Sequence, residues 1–378
     1  MPIAVAAHRA LYVQRVAARV LIVSASIGEG HDLPARVLAD ELGRRGATAE
    51  VIDGLEAAGR LATALAAGSS NFDSNLGNAF FDLGHRFVAE WRPTHRVAAR
   101  LIRAIGRRGL LAAIARARPD VIVSTYPGAT EILGDLRQRG RLAVPVLSAI
   151  TDLASLRFWA HPGVDEHLTI HPESAAEVRA VAGPGAAVVA VHGLTGPGFR
   201  APLAPAAARA ALGLPPAGRL VVVSGGGWAV GDLGTAVDEA LVAGARVVVL
   251  CGRRDEVRER LAARYAGRGD VQVWGFTERM PELLSAADVL VHSTAGLTML
   301  EAMMCGCRPI SFGWGQGHIR ANNRAYARFG LADVAPDRAA LAAALAAGVS
   351  GRRPEPWQPD LPEAADRVLA QVASGWRA

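Results

Sequence analysis

The chain has 378 residues, 51% apolar and 20% charged, which excludes a disordered chain and leaves room for two domains. All 41 basic residues are arginine, and the net charge of +6 points to anionic partners: phosphorylated substrates, acidic lipid or nucleic acid. Three cysteines give neither a disulfide framework nor a zinc spacing, and no apolar run reaches the ~20 residues of a membrane span.

Residues 1–18 carry Arg9 and Arg15 between short apolar pieces, without the long apolar middle of a signal peptide. They read as an extension before the first strand. From there strand-like runs alternate with helical patterns, the mark of parallel α/β architecture. The first half predicts strands at Arg19–Ala25, Ala49–Asp53, Val121–Ser124, Val144–Ile150, His167–Ile170 and Ala187–Val191. The first strand enters SASIGEGHD, where Gly28 and Gly30 let the backbone turn and a ligand approach. Asp32 is expected to cap a helix started by Pro34, with His31 at the junction as a candidate general base.

The stretch 71–118 holds Phe72, Phe80, Phe81, Phe87 and Trp91 and then a basic amphipathic pattern. At helical spacing Arg96, Arg100, Arg103 and Arg107 share one face, opposite Val97, Leu101, Ile102 and Ile105. Such a helix can lie on an anionic membrane surface, or simply pack on its own sheet. In ITDLASLRFWAHPGVDEHLTIHP, Asp152, His161, Asp165, His167 and His171 match no common metal spacing, so no metal site is expected.

The Gly/Pro-rich stretch Gly193–Pro205 reads as a linker, with 196–205 as its core. The second half predicts strands at Leu220–Ser224, Arg246–Cys251, Val271–Trp274, Val289–His292 and Pro309–Phe312. Gly225, Gly226 and Gly227 follow its first strand and leave backbone amides open to a diphosphate, without a Walker or GxGxxG spacing. Ser293, Thr294 and Gly296 open a helix that carries Glu301, a carboxylate able to accept both hydroxyls of a ribose. Gln316, His318, Asn322 and Asn323 offer hydrogen bonds to sugar hydroxyls.

These pieces, SASIGEGH, ITDL, FWAHPGVDEHLTIHPES, SGGGWAVG, CGR, GFTERMPELLSAADVLVHSTAGLTMLEAM and GQGHIRANN, run in one order over residues 19–335. In that order the chain resembles the monogalactosyldiacylglycerol synthase family of glycosyltransferases. More distantly it is similar to the lipid-linked N-acetylglucosaminyltransferase of peptidoglycan synthesis. The resemblance implies an α/β GT-B fold, two Rossmann-like doubly wound domains facing across a cleft. Residues 19–195 would form the acceptor domain and 206–355 the nucleotide-sugar domain, with 356–378 a tail or helix packing back on the first. It implies an inverting, metal-independent and cofactor-free transfer of a hexose from a UDP-sugar to a lipid hydroxyl. The enzyme would work at the inner face of the cell membrane, without nucleic acid.

By position, Phe276 and Thr277 would line the uracil site, and Ser293, Thr294, Ala295 and Gly296, continuing into Leu297 and Thr298, the diphosphate. Glu301 would hold the ribose, and Gln316 and His318 would face the sugar. His31 would be the catalytic base, with Asp152 as a rival and Glu29 a third. Gly28, Gly30, Phe80, Phe81, Trp91 and the four arginines would serve acceptor and membrane. The chain departs from the family pattern at Glu29, where glycine is usual, and in WGQGHIRANN, where many members read PGQEE. A non-lipid acceptor, a GT-B UDP-sugar epimerase and a degenerate sugar-nucleotide-binding protein are the alternative functions.

Overall fold

The computed structural model describes residues 17–26, 29–59, 92–313, 315 and 317–375. All eleven predicted strands are present, with ends shifted by at most two residues. The first six are β1 (Arg19–Ser24), β2 (Thr48–Asp53), β3 (Val121–Ser124), β4 (Val146–Ile150), β5 (Glu166–Thr169) and β6 (Val188–Ala190). They form one sheet in the order β2-β1-β3-β4-β5-β6. The second sheet holds β7 (Leu220–Ser224), β8 (Arg246–Leu250), β9 (Val271–Trp274), β10 (Val289–His292), β11 (Arg308–Phe312) and β12 (Asp333–Ala335), in the order β12-β11-β10-β7-β8-β9. The sequence reading missed β12, whose three residues include a charged Asp333.

Neighbouring strands in both sheets pair in parallel. A parallel sheet covered by helices is buried on both faces, so its strands read as continuous apolar runs. That is why RVLIVS and LVVVS stand out: every residue of both but Arg19 is buried. The strand order reverses between β1 and β3 in the first sheet and between β7 and β10 in the second. Ligands of doubly wound folds sit at such reversals, beyond the carboxyl ends of the strands.

Two expectations are corrected. The first helix runs Glu29–Arg44, so His31 and Asp32 lie inside its first turn and Pro34 inside the helix. Asp32 accepts a hydrogen bond from Ser24 Oγ at 2.5 Å. Pro34 has no N–H to give the Gly30 carbonyl, and Thr151 Oγ1 donates to that oxygen instead, at 3.3 Å. The basic helix Arg92–Ala117 also differs from its predicted wheel. Arg103 turns inward and bonds Asp135 Oδ1 at 2.7 Å, whereas Arg96, Arg100 and Arg107 stay exposed. Val97 and Leu101 are exposed beside those arginines, at 56% and 57%, rather than on a separate face.

The helix Ala364–Gly375 packs on the first sheet's body. Arg367 and Gln371 both bond the buried Glu166, at 3.0 Å, and Asp366 accepts from Arg45 Nε at 2.8 Å. The chain therefore passes between the two bodies twice, once after β6 and once before this helix. The two passages lie side by side. His192 N donates to Pro362 O at 3.0 Å, Ala364 N donates to His192 O at 2.8 Å, and His192 pairs with Glu363 in parallel.

Candidate active site

His31 and Thr125 stand at the reversal of the first sheet, one just past β1 and the other just past β3. His31 Nδ1 lies 3.0 Å from the Thr125 carbonyl. A carbonyl only accepts, so Nδ1 carries the proton and the lone pair of the neutral ring is on Nε2. The ring is edge-on to Tyr126, centroids 5.4 Å apart, and tilted against Trp159 at 5.6 Å. Burial is the largest influence on its pKa and pushes it below the usual 6.5. The Asp152 carboxylate opposes that shift, and His318 of the second body reinforces it. The imidazole is thus held neutral, with a carboxylate near enough to favour the cation it becomes on taking a proton.

Asp152, past the end of β4, is held from two sides. Trp159 Nε1 donates to Oδ2 at 2.9 Å, and Asn322 Nδ2 donates to Oδ1 at 3.0 Å. With both oxygens engaged, Asp152 is placed to tune His31. Gly30 has open space where a Cβ would stand, so the chain beside His31 is uncrowded. An apolar pocket of about 190 Å³ opens behind Tyr126, lined in part by Leu55, Ile102, Ile105, Gly106 and Ile132.

The reversal of the second sheet is built from backbone. Gly225–Gly227 follow β7, and Ser293–Gly296 follow β10. Gly226 has φ +69° and lies across from Thr294 and His292; Ala295 has φ +48°. A Cβ on Gly225 would come within 2.5 Å of the backbone of Ala229 and Val230. His292 stiffens the second loop, with Nδ1 2.9 Å from Ser224 O and Nε2 2.7 Å from Thr294 Oγ1. From there Leu297–Met304 is helical and carries Thr298 and Glu301. Glu301 is buried, which pushes its pKa up to about 7 against the hydrogen bond from Thr298. Phe276 is half exposed under the Arg253 guanidinium, 3.9 Å from the ring centroid, and the half-buried Thr277 accepts from Arg279 N at 3.1 Å. His318 is the first residue of the helix His318–Phe329.

So the fold gathers His31 and Asp152 on one wall, and the glycine loop, Ser293–Glu301 and His318 on the other. Gly28, Phe80, Phe81, Trp91 and Gln316 lie outside the described residues. Two expected sugar contacts are corrected. Asn323 is buried and internally bonded, accepting from Ser311 Oγ at 2.6 Å and donating to Gly313 O at 3.1 Å. Asn322 is 1% exposed and bridges the two bodies. Tyr126, Trp159 and Arg253 were not predicted as site residues. Trp159 sits in the quoted FWAHPG motif, but its bond to Asp152 becomes visible only in the fold.

Comparison with known proteins agrees with this fold. The sequence profile described as Monogalactosyldiacylglycerol (MGDG) synthase matches residues 31–194, and that of Glycosyl transferases group 1 matches residues 217–349. The processive diacylglycerol beta-glucosyltransferase of Bacillus subtilis (strain 168) is 24% identical over 293 residues, 76% of this chain and 75% of that protein. The Staphylococcus aureus (strain Newman) protein of the same name is 24% identical over 211 residues, and the match spans about half of its length, 53%, and 55% of this chain. Among solved structures, Acinetobacter baumannii MurG superposes with a TM-score of 0.54 at 16% identity, covering 94% of this chain and 99% of that one. Arabidopsis thaliana UGT89C1 complexed with UDP superposes with a TM-score of 0.57 at 15% identity, covering 95% and 99%. One profile falls on each body, in chain order, and the chain is a glycosyltransferase with the GT-B fold whose first body is similar to monogalactosyldiacylglycerol synthase.

Proposed function

We propose that this enzyme moves a hexose from a UDP-sugar to the hydroxyl of a diacylglycerol-like lipid at the inner face of the cell membrane, with inversion. The observation that carries the reading is His31: a neutral, half-buried imidazole whose Nδ1 is spent on the Thr125 carbonyl, which leaves Nε2 to take a proton. The acceptor oxygen would attack the anomeric carbon as Nε2 removes its proton, and the bond to the diphosphate would break with its electron pair leaving on UDP. Asp152 would stabilise the imidazolium so formed. Amides of the Gly225–Gly227 and Ser293–Gly296 loops, apart from those of Gly226 and Ser293, which donate to Ser224, would take the charge growing on the diphosphate, in place of a metal ion. Glu301 would accept the ribose hydroxyls, and Phe276 and Thr277 would sit by the uracil. His318, and Gln316 outside the described residues, would face the sugar.

The lipid part of the reading rests on the relatives and on two apolar features. Val97 and Leu101 are exposed among Arg96, Arg100 and Arg107, a surface suited to anionic headgroups and the interface below them. The apolar pocket runs from Ile102 and Ile105 on that same helix to Tyr126 against His31. The test is incubation with radiolabelled UDP-sugars, with and without diacylglycerol vesicles. Label in the organic phase supports the proposal. Conversion of one UDP-sugar into its epimer without acceptor replaces transfer by epimerisation, and binding with no turnover marks a degenerate protein. Transfer that survives EDTA supports the metal-free leaving group, and loss on chelation refutes it.

A further inference from the structure

The helix His318–Phe329 presents His318, Asn322 and Tyr326 at intervals of four, one face of the helix. Asn322 and Tyr326 meet the other body directly. His318 lowers the pKa of His31, Tyr326 stands edge-on to His171 with centroids 5.9 Å apart, and Asn322 lies between them. Asn322 spends every hydrogen-bonding atom of its side chain here. Oδ1 accepts from Ala154 N at 3.0 Å, and Nδ2 donates to Asp152 Oδ1 at 3.0 Å and to Ala295 O at 3.3 Å. Ala154 and Asp152 belong to the acceptor body, Ala295 to the loop after β10. One carboxamide therefore ties the carboxylate beside His31 to the loop on the opposite wall.

We propose that Asn322 is a positioning residue that sets the register between the two walls of the cleft, holding Asp152 and the Ala295 loop at a fixed separation. A buried amide left without its partners is costly, and Asn322 is 1% exposed, so breaking this contact leaves its carboxamide unsatisfied. An acid at this position would keep the acceptor for Ala154 N while turning an oxygen toward both Asp152 and the Ala295 carbonyl.

The inference concerns geometry, and its effect on rate rests on the transferase reading, so the two are measured separately. Spin labels are placed through Val51→Cys and Val242→Cys, exposed sites on the two bodies, and their distance distribution is recorded in ligand-free protein. The expected result is one narrow distance, broadened or lengthened by Asn322→Asp and by Asn322→Ala. Adding Asp152→Asn to Asn322→Asp, which removes the repulsion between the two carboxylates, should narrow it again in part. Unchanged distances in both Asn322 variants would overturn the proposal. If the alanine variant does not fold, the aspartate variant and its double mutant decide. In turnover, Asn322→Asp should lose on the order of 10²-fold in kcat, the scale of a misplacement of about 1 Å, with UDP affinity retained. Parallel losses of UDP affinity and kcat would make Asn322 a donor-site residue and sink the register role. No transfer by the wild type would end the transferase reading and leave the distance result to judge Asn322.

Discussion

The two strand-order reversals have the same topology and opposite chemistry. In the first sheet the opening between β1 and β3 is filled by a side chain, the His31 imidazole packed between Tyr126 and Trp159 and tuned by Asp152. In the second, the opening between β7 and β10 is left to the backbone, with Gly225–Gly227 and Ser293–Gly296 turned by positive φ at Gly226 and Ala295. A side chain can hold and move a proton. A run of backbone amides can hold a delocalised anion but cannot titrate. On the proposed reading, one architecture would supply base and anion cradle by changing what stands at the same topological point.

The comparison breaks most sharply at His31. His31→Ala should lower turnover about 10²–10⁴-fold, the usual worth of a general base, and leave UDP affinity unchanged by calorimetry. If it keeps turnover while Asp152→Ala abolishes it with UDP still bound, the base is Asp152. Because burial lowers the His31 pKa, the acid limb of kcat attributable to it should lie below pH 6.5.

The donor wall should answer to binding instead. Glu301→Ala should weaken UDP by about 1–3 kcal/mol, the scale of hydrogen bonds to a charged group. Its folded pKa, raised to about 7 by burial, gives two signs to check. Donor affinity should fall as pH drops through 7, because protonation removes an acceptor. In the ligand-free enzyme the same group stabilises the fold fully below its unfolded pKa, and that contribution is lost as pH rises through 7. Thermal melts at pH 5 and pH 8 should show a difference that Glu301→Gln reduces.

Gly225→Ala sharpens the claim that this wall is backbone. Its Cβ would meet main-chain atoms 2.5 Å away, so the loop must shift. We expect a cost of about 1–3 kcal/mol in stability, as for overpacking, and weaker UDP binding with an unshifted kcat pH profile. The smallest effect belongs to the surface. Reversing the charge of Arg96 and Arg100 should release the protein from anionic vesicles by ~1 kcal/mol per arginine, less at high salt. Equal sedimentation of variant and wild type would remove this helix from the membrane face.

How much of this the sequence disclosed depends on how local the cause is. Buried parallel strands advertise themselves by continuous apolar runs, so eleven of the twelve among the described residues could be read, and the exception was three residues long and only partly buried. The glycine loop and the position of His31 near a turn were equally legible. The start of the first helix was not, because Pro34 imitates a first-turn proline and only Thr151, 121 residues from Gly30, explains how an interior one is tolerated. Arg103 looked like its neighbours until Asp135 on another helix claimed it. Asn322 looked like a sugar ligand, and its true partner Asp152 is 170 residues away. No periodicity reports a pairing of that range.

The paired passages at His192 and Glu363 have a mechanical consequence. Two bodies joined by a single strand can swing about almost any line. Here they are joined by two strands bonded side by side, His192 to Pro362 and Ala364 to His192. Such a seam bends as a ribbon does, across its flat face, and resists both twist and in-plane swing. Any opening of the cleft that releases the Asn322 tie would therefore follow one easy path, carrying the imidazole and the glycine cradle along the same arc.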